Sequence, residues 1–117
     1  MKITILDGNA VNPGDLSWAP LEAFGSLTVY PRTAAGEVIE RIGDSEAVLL
    51  NKVNITEEIL AACPSLKYIG VQATGYNVID LEACRRHGVT VTNVPSYSTA
   101  GVAQLVFSFI SEWACHV

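Results

Sequence analysis

Five short apolar runs punctuate the chain: KITILD at 2–7, SLTVYP at 26–31, EAVLLN at 46–51, KYIGVQ at 67–72 and VTVTNV at 89–94. They are rich in Ile, Val, Leu and Thr, and several lack clean alternation, as suits strands covered on both faces. Between them, apolar residues at helical spacing predict helices over roughly 15–24, 34–42, 56–62 and 78–87. Gly25, Gly43 and Gly88 fall where those helices should stop, in the manner of left-handed caps. Thr56, ahead of Glu57 and Glu58, is the expected N-cap of the third helix. Asn77, three residues before Asp80, is the expected N-cap of the fourth.

Strand and helix alternate with short connections, which implies right-handed βαβ units. The fold class that follows is α/β: a flavodoxin-like, doubly wound, five-stranded parallel sheet with helices on both faces. Its expected strand order is 2-1-3-4-5.

The last segment, STAGVAQLVFSFISEWACHV, departs from this pattern. Thr99 is its expected N-cap, and Gln104, Ser108, Ser111, Glu112 and His116 form one polar stripe along it. The remaining arc carries Val102, Leu105, Val106, Phe107, Phe109, Ile110, Trp113 and Val117, more apolar surface than one sheet face covers. The pattern also stops at Val117 without a capping residue, so continuation of the natural chain is the expectation. A homodimer built on this helix is the other way to cover it.

Composition narrows the function classes. Half of the 117 residues are hydrophobic and 16% are charged, a balance typical of a folded domain. The net charge is −5 and the seven basic residues are scattered, so no nucleic-acid partner is expected. No apolar run reaches membrane-spanning length, and no membrane partner is expected. Cys63, Cys84 and Cys115 are odd in number and widely spaced, which points to free thiols and a cytoplasmic protein.

In an open parallel sheet, ligands bind beyond the carboxyl ends of the strands. The residues delivered there are Asp7 and Gly8, Asn51 and Lys52, the turn from Gln72 to Asn77, and the turn from Asn93 to Thr99. Gly75 lets the backbone turn without a Cβ, so that consecutive N–H groups can form an anion site suited to a carboxylate. Lys52 would add a positive charge from the neighbouring strand end. The plainer alternative is a tight turn at Gly75 with Lys52 solvated.

Other chemistry finds little footing. There is no GxGxxG, and the GxxxxG of Gly70 and Gly75 is followed by Tyr76-Asn77, so neither a dinucleotide fingerprint nor a P-loop is present. Two histidines, His87 and His116, make no metal cluster. His87 is expected to face the dipole at a helix C-terminus, and Asp7 to hold a loop. Cys84 stands one turn before His87 with nothing to orient the two as nucleophile and base.

The joined wording ATGYNVID and NVPSYST, with ILDG near the start and LLNKVNIT around Lys52, resembles the NAD-dependent D-2-hydroxyacid dehydrogenases, and their glycerate dehydrogenase (hydroxypyruvate reductase) branch in particular. The resemblance runs along essentially the whole chain but covers about the first third of such a subunit. It implies residues 1–98 as a substrate-binding lid domain and 99–117 as the helix crossing toward a cofactor domain not contained in this chain. It also implies hydride transfer between NAD and a small 2-oxo or 2-hydroxy acid. The backbone amides of Thr74 and Gly75 match those that hold the substrate carboxylate, Lys52 matches a polar residue facing them, and Thr99 matches a threonine touching the cofactor. The family's catalytic arginine, glutamate and histidine match no residue here, so the chain alone is expected to be inactive. Ala100-Gly101 departs from the polar or β-branched residues common in relatives. The competing expectation is a stand-alone ligand-binding or interaction module. Flavin binding is a weaker third, because DGNAVNPG stands where a phosphate loop would follow the first strand.

Overall fold

A computed structural model describes residues 1–116. The strands β1 (Lys2–Ile5), β2 (Ser26–Val29), β3 (Ala47–Leu50), β4 (Tyr68–Val71) and β5 (Thr90–Thr92) form one sheet. All four pairings are parallel. The order is β2-β1-β3-β4-β5, the order expected of a flavodoxin-like sheet. Each strand is two or three residues shorter than its apolar run, losing residues at the carboxyl edge and, in β3, β4 and β5, one at the amino edge as well.

The helices are α1 (Ala19–Glu22), α2 (Val38–Ile42), α3 (Glu57–Ala62), α4 (Leu81–Arg86) and α5 (Thr99–Cys115). Leu6, Val48, Leu50, Ile69 and Val71 project from alternate strand positions into one core with Val38, Ile42, Leu60 and Ala83 from α2, α3 and α4. Burying each of the valine, leucine and isoleucine side chains among them contributes roughly 1.5–3 kcal/mol. Ile3 and Ile5, on the other phase of β1, are buried outside that core, on the opposite face. There α1 packs beside β2.

Several predicted boundaries are corrected. The first helix shrinks to one turn. Asn12 bends the segment before it: its Oδ1 accepts from the N–H groups of Gly14 and Leu16, and its Nδ2 donates to the Leu16 carbonyl. The second begins as a 3-10 turn, Ala35–Glu37, before α2. Thr56 does hold the N-cap position of α3, although its side chain makes no capping bond. The fourth helix starts at Leu81 with Asp80 as its N-cap, accepting from the Ala83 N–H at 2.9 Å, so Asn77 is not the cap. The reason lies in Ile55, which forms an isolated parallel bridge with Ile79. Its N–H donates to the Val78 carbonyl and its carbonyl accepts from the Asp80 N–H, so 78–80 is held extended until the helix can begin. Gly43 and Gly88 have positive φ, as their capping role requires. Gly25 is needed for a second reason: a Cβ there would meet the Met1 carbonyl oxygen at 1.8 Å.

Ser98, not Thr99, occupies the N-cap position of α5, and its side chain makes no capping bond. At the other end His116 adopts a left-handed conformation, with its N–H bonded to the Glu112 carbonyl. None of the residues from Thr99 to His116 is buried; Trp113 is 84% exposed and Phe107 68%. The excess apolar surface read from the sequence is thus covered by neither sheet face among the described residues.

Candidate functional site at the carboxyl edge of the sheet

The site is assembled from the strand ends outward. Asp7 follows β1 and is buried, with its carboxylate turned toward β3. Oδ1 accepts from the Asn51 N–H at 2.9 Å, and Oδ2 accepts from the Lys52 N–H at 2.6 Å. Asp7 therefore holds a loop, as expected, and its carboxylate is committed to backbone donors. Asn51 carries the linkage onward, its Nδ2 donating to the Gln72 carbonyl at 3.1 Å. Beyond Gln72 the turn is tied to the strand on its far side. Thr74 Oγ1 donates to the Val94 carbonyl, Asn93 Nδ2 donates to the Thr74 carbonyl, and the Val94 N–H donates to Ala73.

These bonds use the Thr74 hydroxyl and carbonyl. The N–H groups of Thr74 and Gly75 donate to none of the described residues, and both residues are exposed. Two consecutive amides held by a fixed frame, at the edge where an open sheet binds ligands, can receive a carboxylate. The part assigned to Gly75 needs correction in one respect. Its φ is not left-handed, and a Cβ would meet only Asn77 Oδ1 at 3.4 Å, so the turn does not require glycine. What the absent Cβ leaves is open approach to the amides.

Two clefts flank this frame. One, of about 450 Å³, is lined by Ala10, Val11, Asn51, Gln72, Val94 and Tyr97. The other, of about 340 Å³, lies between the ends of β1 and β2 and is lined by Asp7, Arg32 and Lys52 among others. Lys52 thus sits on the adjoining cleft, while the Thr74–Gly75 turn stands at the rim near Val94. Thr99 is exposed at the start of α5. Nothing in the sequence pattern marks Arg32 except its position just past β2, which puts it at the same edge. Arg41 shapes that loop: it bonds the Arg32 carbonyl and Thr33, pairs with Glu37 at 3.0 Å and lies over the Tyr30 ring.

The remaining candidates fall away. His87 sits at the C-terminus of α4 as expected, but its Nε2 lies 2.6 Å from Glu57 Oε1, so it does not serve Cys84. Burial pushes the Cys84 thiol up from its ordinary value, with the Asp80 carboxylate adding to the effect. No group of metal-ligating side chains forms among the described residues. No helix among them is long and apolar enough to cross a membrane.

The Glu57 carboxyl is held below its ordinary value of 4.5, chiefly by the hydrogen bond with His87 and then by that with Arg86. A carboxyl lowered on folding stabilises the protein above its unfolded value, and that contribution fades as pH falls through the folded value. The stability gap between the protein and its Glu57→Gln variant, from urea unfolding, is therefore expected to be largest above pH 4.5 and to close on acidification.

The model of the D-isomer specific 2-hydroxyacid dehydrogenase catalytic domain matches residues 6–114. The chain belongs to the D-isomer-specific 2-hydroxyacid dehydrogenases. Within this family it is 45% identical over 120 residues to a hydroxypyruvate reductase of Blautia hydrogenotrophica, covering 100% of this chain and 37% of that protein. It is 39% identical over 62 residues to a glycerate dehydrogenase of Methylorubrum extorquens, covering 53% of this chain and 20% of that one. Among solved structures it resembles the acyclic imino acid reductase Bsp5, in complex with NADPH and D-Arg, with a TM-score of 0.80 and 28% identity. That match covers 96% of this chain and 36% of the reductase. The chain thus spans little more than a third of the length of the hydroxypyruvate reductase and of Bsp5.

Proposed function

We propose that residues 1–98 are the substrate-binding lid of an NAD-dependent dehydrogenase of 2-hydroxy acids, with glycerate and hydroxypyruvate as its substrate pair. Helix α5, Thr99–Cys115, then crosses toward a cofactor domain. The observation that carries this reading is the pair of unengaged amides at Thr74 and Gly75, fixed in place by Val94, Asn93 and, through Gln72, Asn51 and Asp7. They hold the substrate carboxylate, and the exposed Lys52 adds positive charge from the next strand end. The likeness to a hydroxypyruvate reductase at 45% identity supports the choice of substrate.

NAD, when bound to the complete enzyme, supplies or accepts the hydride. The residues of this chain do not fit a dinucleotide. No GxGxxG is present, and Gly70 lies inside β4, where a Cβ would meet Leu49 Cδ2 at 2.5 Å. Thr99 at the crossing touches the cofactor. The proton donor and the cation opposite the carboxylate also come from outside it, since His87 is engaged by Glu57. The work of this domain is to bind the carboxylate, fix its orientation and close over the reactants so that water is excluded. The apolar flank of α5 is covered in the complete protein by the cofactor domain and by a second copy in a homodimer, in the cytoplasm.

A test is titration of the isotope-labelled chain with hydroxypyruvate at millimolar concentration, followed through backbone amide resonances. The Thr74 and Gly75 signals are expected to move, while Glu46, at the opposite edge of the sheet, stays fixed. Movement confined to other residues would remove the carboxylate assignment.

A further inference from the structure

Gln72 is the polar side chain near the turn that the fold leaves without a use. Its Oε1 is buried and has no hydrogen-bond partner among the described residues. Its backbone, by contrast, is fixed on both sides: the N–H donates to the Leu50 carbonyl at 2.7 Å, and the carbonyl accepts from Asn51 Nδ2. A polar atom removed from water without a partner is costly, and such atoms are uncommon in folded proteins. When one lies beside a ligand-binding edge, a role in binding accounts for its retention.

The position is specific. Gln72 lies two residues before Thr74 and lines the 450 Å³ cleft with Ala10, Val11, Asn51, Val94 and Tyr97. Val94 is bonded to Ala73 and Thr74, so this cleft adjoins the carboxylate turn directly. No charged residue lines it. An uncharged carboxamide among largely apolar neighbours is matched to an uncharged hydroxyl, which both donates and accepts, and not to a second anionic group. The last torsion of a glutamine is soft and nearly two-fold, so a half-turn exchanges the buried Oε1 for Nε2.

We infer that Gln72 is a specificity-determining residue that takes the hydroxyl on the carbon next to the reacting carbonyl. The inference rests on the reading that the Thr74 and Gly75 amides hold the acid's carboxylate. It assigns to one residue the preference for short 2-oxo acids with a 3-hydroxyl over their 3-deoxy counterparts. A site built to bond a hydroxyl discriminates against the analogue lacking it, because its own polar group is then left unpaired.

Hydroxypyruvate and pyruvate differ by that hydroxyl alone. With the protein encoded by the complete reading frame, kcat/KM is measured for both acids, with NADH as reductant, for the unsubstituted enzyme and for Gln72→Met. The hydroxypyruvate-to-pyruvate ratio is expected to fall by about tenfold or more in the variant. Gln72→Asn, which withdraws the amide by one methylene, is expected to lower the ratio as well, and decides the matter should the first variant not fold. A ratio held within about twofold in the variants, including a parallel loss on both acids, overturns this inference alone. An unsubstituted enzyme that reduces neither acid overturns the underlying reading and this inference with it.

Discussion

Replacing Asp7 with alanine is expected to lower the unfolding free energy by about 3 kcal/mol or more, since hydrogen bonds to a charged group are worth roughly 1.5–3 kcal/mol each and unpaired donors add their own cost. The Asp7 carboxylate accepts from two successive amides, at 2.9 Å from Asn51 and 2.6 Å from Lys52, and Asp7 itself is buried. Alanine leaves both donors with nothing to replace it. Asp7→Asn keeps one acceptor oxygen but sets an NH₂ group against backbone donors, so an intermediate loss is expected. Urea unfolding of the three proteins measures the order directly. The consequence reaches the site, because Asn51, held by Asp7, in turn fixes the Gln72 carbonyl at the end of β4. Stability of Asp7→Ala within about 0.5 kcal/mol of the parent, the range of a neutral surface change, would contradict this account of the β3 loop.

The second large effect is on binding, with the fold left in place. In the complete enzyme, Gly75→Ala is expected to raise KM for the 2-oxo acid by about tenfold, or roughly 1.4 kcal/mol of lost binding. The new methyl group stands on the open side of the turn, where the carboxylate must approach the amides. Its nearest described neighbour is Asn77 Oδ1 at 3.4 Å, and the backbone conformation suits any residue, so the melting temperature should stay close to that of the parent. Steady-state kinetics beside a thermal melt separate the two quantities. An unchanged KM would show that the carboxylate is held elsewhere.

Much of this was legible in the sequence, for identifiable reasons. A parallel sheet buried on both faces leaves near-continuous apolar runs, so all five strands follow from pattern and connection length, and their order from the flavodoxin-like class. The helix boundaries were less accessible, because long-range bonds set them. Asn77 and Asp80 both have capping chemistry, and only the bridge between Ile55 and Ile79 decides for Asp80. The buried Asn12 draws three local hydrogen bonds and so shortens α1, an effect invisible in apolar spacing. Gly25 reads as a cap in sequence, yet its closest constraint is the Met1 backbone, which only the sheet brings near.

The candidate site divides in the same way. The turn at Thr74 and Gly75 stands out in the sequence because glycine after an apolar strand lets successive amides point outward. The helix read directly after it begins only at Leu81, so no helix N-terminus adjoins the turn. The frame that stabilises the turn does not stand out, since Val94, Asn93 and Thr74 meet through pairing of β4 with β5. Lys52 was placed at the correct edge, but which cleft it lines depends on the loop that Asp7 fixes. Gln72 carried no signal beyond its position, because a buried unpaired oxygen is a property of packing.

In the proposed reading this chain holds the acid's carboxylate, and hydride transfer falls to a cofactor domain joined through α5. Oxidation of NADH in the presence of hydroxypyruvate, followed for residues 1–117 and for the product of the complete reading frame, tests it most directly. The account predicts no turnover by residues 1–117 and sustained turnover by the longer protein. Turnover by residues 1–117 alone, or none by the longer protein, would contradict it.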